Sequence, residues 1–150
     1  MDQIDKRILE TLAENSRATA SEISKLVELS LPAVSERIRK LEENGIIEQY
    51  TIRVNRSGCG FHLLAMIFVS LRGTAFIDPF RQAVVEFPQV LECHHVAGDY
   101  DYLLKVLAAG TDELEDFLSR RLKGIDGVVK TNTLIVLSTI KESINRPVPR

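Results

Sequence analysis

Residues 17–45 read RATASEISKLVELSLPAVSERIRKLEENG, and the fold follows from how this stretch is divided. It divides into two helices with a very short turn between them. The first spans about 20–27, with Thr19 as its N-cap. The second begins after Ser30 and runs to about Asn44. A Ser hydroxyl before a helix accepts from a free first-turn N–H, and Pro32 is tolerated where first-turn N–H groups have no helical partner. Gly45 supplies a left-handed stop. Only Glu28 and Leu29 separate the first helix from the Ser30 cap, so the two helices must cross steeply, as in a helix-turn-helix.

On a helical wheel of the second helix, Leu31, Val34, Ile38 and Leu41 share one face. The opposite face centres on Glu36, with Pro32, Ala33, Arg39 and Lys40 beside it and Ser35 and Arg37 on the flanks. A helix entering the major groove needs small polar residues where it meets base edges and Arg or Lys where it passes phosphates. The expected DNA-contacting set is therefore Ser30, Pro32, Ala33, Ser35, Glu36, Arg37, Arg39 and Lys40. The plain alternative is an amphipathic surface helix with Glu36 and Lys40 as a solvated i,i+4 pair.

Composition bounds the class. The chain has 150 residues, 45% hydrophobic and 27% charged, which fits a soluble globular protein of one or two small domains. The longest purely apolar run, 63–69, is too short to span a bilayer. The N-terminus is acidic and amphipathic rather than signal-like, so a cytoplasmic location is expected, with Cys59 and Cys93 as free thiols. The net charge of −2 runs against DNA binding for the chain as a whole. The stretch 30–41 is locally basic, however: Arg37, Arg39 and Lys40 stand against Glu36 alone. A basic edge on an acidic body binds weakly per copy, which calls for an oligomer presenting several edges.

Around this core, residues 2–14 form a first helix, with Ile4, Ile8, Leu9 and Leu12 on one side. Past Gly45, Tyr50, Ile52 and Val54 alternate with Thr51 and Arg53 as in a strand. That predicts a winged helix-turn-helix, with Arg53 or Arg56 near the DNA backbone. The glycine-containing stretch 55–61 marks a linker. Beyond it the pattern is strand (62–72), helix (from Asp78-Pro79 to Glu86), strand (90–97), strand (102–108), helix capped by Thr111 or Asp112, and strand (128–140). The order βαββαβ is the ferredoxin-like unit. Strand 62–72 is apolar on both faces, which predicts burial inside the domain and against a partner chain. The expected organisation is α+β: residues 1–54 a DNA-binding domain, 55–61 a linker, 62–142 a ferredoxin-like dimerisation and effector domain, and 143–150 a frayed tail.

The segment 91–105, LECHHVAGDYDYLLK, taken with Ser30-Leu31-Pro32, Glu36-Arg37-Ile38-Arg39, Leu41-Glu42 and Gly45-Ile46-Ile47, resembles the Lrp/AsnC, or feast/famine, family of transcription regulators. The resemblance runs in order through both domains, from Asp2 to Lys141. It implies an N-terminal DNA-binding domain and a C-terminal domain that dimerises, assembles further, to an octamer in this family, and binds amino acids. Its effectors bind at the turn Gly98, Asp99, Tyr100, Asp101, against the last strand of a neighbouring subunit. That implies Thr131, Thr133, Leu134, Ile135 and Val136 here. Because Leu31 precedes Pro32 and Ala33-Val34 follow it, base preference does not carry over.

The residues of the turn support an effector on their own terms. A free amino acid offers an ammonium, which a carboxylate side chain takes, and a carboxylate, which the N–H groups of a Gly-containing turn take. An aliphatic side chain such as that of leucine suits Leu134 and Val136. The bland reading is a hairpin turn. Cys93, His94 and His95 do not make a metal site, since a strand sends His94 to the opposite face and zinc needs three or four converging ligands. No nucleophile motif or other catalytic arrangement appears, and no cofactor is expected. Two other readings stand beside the specific regulator: a DNA-organising protein with little sequence choice, and an amino-acid sensor acting on an enzyme.

Overall fold

The computed structural model describes residues 1–145. It is α+β and forms two compact units, one of Met1–Arg53 with the segment from Lys141, the other of Val54–Ile140.

In the first unit, α1 spans Gln3–Glu14, α2 Ala20–Val27 and α3 Leu31–Glu43. Local chemistry sets each boundary. Asp2 and Asp5 form a reciprocal capping box at the start of α1, and Thr19 and Glu22 form another at α2. Ser30 accepts from the Ala33 N–H at 3.4 Å. At the far end of α3, the Ile46 N–H donates to the Leu41 carbonyl and the Gly45 N–H to that of Glu42, both at 2.9 Å, with Gly45 at φ 66°. This is the two-bond Schellman stop. The turn between α2 and α3 rests on Glu28, a non-glycine residue held left-handed at φ 56°. Ile8, Leu12, Ile23, Val34 and Leu41 make the core, with Ile38 and Ile47 packed against it. Leu31, expected on the core face, is about half exposed at the first position of α3.

The expected wing strand is not formed. Residues 48–55 pair with nothing as a strand, and Tyr50, Ile52 and Val54 are exposed. Alternation alone does not make a strand, because the backbone N–H and C=O groups need a neighbouring strand and this unit has none among the described residues. Arg53 turns instead to Glu142, donating to its carbonyl at 3.2 Å and pairing with its carboxylate at 3.4 Å.

The second unit has β1 at Leu63–Leu71, α4 at Ile77–Val85, β2 at Val90–His95, β3 at Tyr102–Ala108, α5 at Thr111–Asp116 continuing as wider π turns over Phe117–Leu122, and β4 at Val128–Ile135. The sheet order is β2-β3-β1-β4, with every pairing antiparallel. On one face, Ala65, Ile67, Val69, Tyr102, Leu104, Val106 and Ala108 are buried beneath Phe80, Val84, Leu114, Phe117 and Leu122 of the helices. On the other face, Leu64, Met66, Phe68, Leu103 and Leu107 are only half-buried.

Two boundaries differ from expectation. β4 ends at Ile135 rather than near Ile140. Its register sets Ile135 opposite Ala65, and β1 begins at Leu63, so the partner strand runs out almost at once. Helix α5 is capped by Gly110, not by Thr111 or Asp112, which lie inside its first turn. The Glu113 carboxylate reaches back to the Ala109 N–H at 2.7 Å. Gly127, at φ 90°, turns the chain into β4 where a Cβ would fall 2.2 Å from the Phe76 ring. The tail residues beyond Asn145 lie outside the described residues.

Candidate DNA-binding and effector sites

The outer face of α3 carries the expected DNA-contacting residues, but their charges are already engaged. The guanidinium of Arg39 holds Glu36 through two bonds, Nε to Oε2 at 2.9 Å and Nη2 to Oε1 at 2.7 Å, and its Nη1 also meets Glu43. Lys40 lies 3.6 Å from the same Glu36 carboxylate. The Arg39 guanidinium holds the Glu36 carboxyl below the usual carboxylate range, and Glu36 in turn raises Arg39. Ser30, Pro32 and Ser35 are exposed and Ala33 half-buried along this face.

Arg37 departs from expectation. Its Nη1 lies 2.7 Å from Asp5 Oδ1 and 2.8 Å from Asp2 Oδ2, so it ties α3 to the start of α1 rather than standing free for a phosphate. Tyr50 donates to Glu42 at 2.8 Å, and partial burial together with that carboxylate pushes its hydroxyl up to about 12. Sequence reasoning passed over Arg17 and Lys25. Both are exposed, on the segments leading into α3, and Lys25 is near enough to Glu22 to help lower its carboxyl.

In the second unit, the turn after β2 is tied into the sheet by Asp101. Its N–H donates to the Val69 carbonyl and its own carbonyl accepts from the Val96 N–H, both at 2.9 Å, while Oδ2 accepts from the Leu71 N–H at 2.7 Å. That last bond occupies the point where the β1–β4 register shifts, between Ser70 and Leu71. Tyr100 packs on Phe68 with ring centroids 5.3 Å apart, and the Lys130 ammonium stands 5.2 Å from the Tyr100 centroid. A cation therefore serves this turn, although the sequence shows none closer than Lys105. Gly98 and Asp99 are exposed.

The β4 residues do not gather on one side within a single chain. Register places Thr131, Thr133 and Ile135 opposite Val69, Ile67 and Ala65, and Leu134 opposite Met66 on the other face. Val136 follows the strand, its N–H donating to Leu64 at 2.9 Å. Of the turn, Asp101 alone lines the cleft that opens beside it. That cleft, about 130 Å3, is bounded by Leu71, Gly73, Thr74, Ile77, His95, Asp101 and Tyr102. His95 stacks on Tyr102 at 5.0 Å, and Arg81 Nε donates to the Tyr102 hydroxyl at 2.8 Å. His94 lies on the opposite face, 3.1 Å from Glu92, which also meets Lys105 at 2.9 Å.

Comparison with known proteins accounts for both units. A family profile described as winged helix-turn-helix DNA-binding matches residues 1–48, and one described as Lrp/AsnC ligand binding domain matches residues 64–145. The chain belongs to the Lrp/AsnC family of transcriptional regulators. It is 34% identical to the HTH-type transcriptional regulator FL11 of Pyrococcus furiosus, over 99% of this chain and 97% of that protein. It is 35% identical to the leucine-responsive regulatory protein of Escherichia coli K12, over 95% and 88%. A crystal structure of a Neisseria meningitidis transcriptional regulator in complex with L-methionine matches with a TM-score of 0.93 and 31% identity, over 99% and 96%.

As an Lrp/AsnC protein, the chain is a DNA-binding regulator with a ligand-binding domain rather than an enzyme. No helix among the described residues is long and apolar enough to cross a membrane. Sequence reasoning missed the cleft residues Leu71, Gly73, Thr74, Ile77, His95 and Tyr102. Only Gly73-Thr74 ahead of a helix, and the adjacent histidines, carried any local signal.

Proposed function

We propose that this Lrp/AsnC protein is a sequence-specific regulator whose DNA binding or assembly answers to a free amino acid with an apolar side chain, of the leucine or methionine kind. Residues 1–54 form the DNA-binding domain, 55–61 the connector and 62–142 the effector domain. The observation that carries the reading is the cleft at Asp101, within a chain that also bears a helix-turn-helix. The cleft joins one carboxylate to the apolar walls of Leu71, Ile77 and Tyr102, and about 130 Å3 is of the order that holds a small apolar group. The ligand ammonium meets Asp101, and N–H groups of the 98–101 turn help to hold its carboxylate. Thr131, Thr133, Leu134, Ile135 and Val136 of a neighbouring copy close the site. The L-methionine bound to the Neisseria regulator supports this ligand class.

On α3, Ser35 and Glu36 approach base edges, with Ser30, Pro32 and Ala33 at the entering end, and Arg39 and Lys40 meet phosphates. The half-buried apolar sheet face of Leu64, Met66, Phe68, Leu103 and Leu107 joins a second copy, and dimers assemble further, to an octamer as in the family. The cytoplasm is the expected compartment. The test is a thermal-shift screen of the twenty amino acids, followed by DNA binding with and without each hit. A hit that alters affinity for a selected duplex but not for random DNA is the expected result. No hit removes the effector, and equal affinity for both duplexes points to a DNA-organising protein.

A further inference from the structure

Helix α3 is electrically self-contained. Glu36, Glu42 and Glu43 balance Arg37, Arg39 and Lys40 within Leu31–Glu43. Arg37 is occupied by Asp2 and Asp5, and Glu42 by the Tyr50 hydroxyl. What remains on the outer face is one assembly, Arg39 between Glu36 and Glu43 with Lys40 beside Glu36. Glu36 occupies Arg39 Nε and Nη2 together, the same planar fork that a DNA phosphate or a guanine edge accepts. The two acceptors compete for one donor pair. Both partners are about half exposed, and ion pairs so placed contribute little to folding. Stability therefore does not account for the arrangement.

We propose that Glu36, assisted by Glu43, is a specificity-determining clamp on Arg39. The inference rests on the DNA-binding reading above. On arbitrary DNA, Arg39 stays neutralised, because releasing it leaves the Glu36 carboxylate facing phosphates with only the longer contact to Lys40 to balance it. At a matching site a base amino group, cytosine N4 or adenine N6, donates to Glu36, and Arg39 is freed onto the backbone or a guanine. The clamp discriminates by weakening the wrong complexes. It also fits an acidic chain, in which unspecific attraction to DNA is small from the outset.

The test uses the full chain and two duplexes, one of random sequence and one selected from a random pool by the wild-type protein. Binding is measured by fluorescence anisotropy across a salt series for wild type, Glu36→Gln, Arg39→Ala and the double variant, each matched by a thermal melt. Glu36→Gln is expected to bind the random duplex at least about threefold tighter and to steepen its log–log salt slope by about 1, the share of one phosphate contact. Its preference for the selected duplex falls. In the Arg39→Ala background the same substitution brings no gain. Equal gains in both backgrounds mean simple charge repulsion and overturn the clamp, as does unchanged random-DNA affinity in Glu36→Gln. Wild type that binds neither duplex overturns the DNA-binding reading itself, a result distinct from either.

Discussion

Arg37 of α3 and Asp5 of α1, thirty-two residues apart, meet at 2.7 Å, and Asp2 reaches the same guanidinium nitrogen at 2.8 Å. The two aspartates are also the reciprocal cap of α1. One arginine thus ties α3 to the first turn of α1 and anchors its cap. Arg37→Ala is expected to lower the thermal midpoint by a few degrees while leaving the salt dependence of DNA binding unchanged. A slope shallower by about 1 would instead place Arg37 on a phosphate.

The same cap sets a pH dependence. The Asp5 backbone N–H, and then Arg37, hold the Asp2 carboxyl below its ordinary value of 3.8. Glu22 is lowered in the same way, first by the Thr19 N–H. A carboxyl depressed in the folded state stabilises the fold fully above its unfolded pKa and loses that contribution as pH falls through the folded one. The thermal midpoint is therefore expected to hold steady from neutrality down to about pH 5 and to fall below about pH 4. Asp2→Asn should flatten part of that fall, and a profile identical to wild type means that the cap does not couple to folding.

Asp101→Asn separates two roles of one side chain. The asparagine carbonyl oxygen can still accept from the Leu71 N–H, so the sheet edge keeps its bond. The amide no longer offers a negative charge to a ligand ammonium. A charge-assisted bond of roughly 1.5–3 kcal/mol implies about one to two decades of lost affinity for the amino acid found in the screen. Calorimetry on both proteins, with matched melts, checks this. Equal affinities place the ammonium elsewhere.

The half-buried sheet face predicts the assembly. Phe68→Glu places a charge at its centre, opposite Leu103 on one side and Asn132 on the other. Light scattering is expected to show wild type and the 61–150 fragment as oligomers and the Phe68→Glu chain as a smaller species with an intact circular dichroism spectrum. A wild-type chain that runs as a monomer removes the proposed dimer.

The boundaries of α2 and α3 were legible in the sequence because their caps are local. Thr19, Ser30 and Gly45 act within four residues of themselves and need no knowledge of the rest of the chain. The βαββαβ order was legible from apolar runs and turn residues. Residues 46–54 were misread because a strand exists only with a neighbour, and β4 was overextended because its length depends on where β1 begins, about seventy residues earlier. The sites were the least visible. Asp101 stands out in the sequence as a turn carboxylate, but its bond to Leu71 spans thirty residues, and the cleft draws on β1, β2, β3 and the crossover into α4. The engagement of Arg37 with α1 likewise arises only once the three helices pack.

The widened turns of the last helix leave a record of a different kind. In a regular α-helix the residue four beyond Phe117, Arg121, would share its face. Here the i+5 spacing brings Leu122 into the core with Phe117 and leaves Arg121 outside. Such a turn is what one surplus residue looks like when a helix absorbs it without shifting either end. Deleting a single residue between Phe117 and Leu122 should therefore restore ordinary helix and keep the core in register. A deletion of the same size in α4, which has no slack, should throw Val84 out of line.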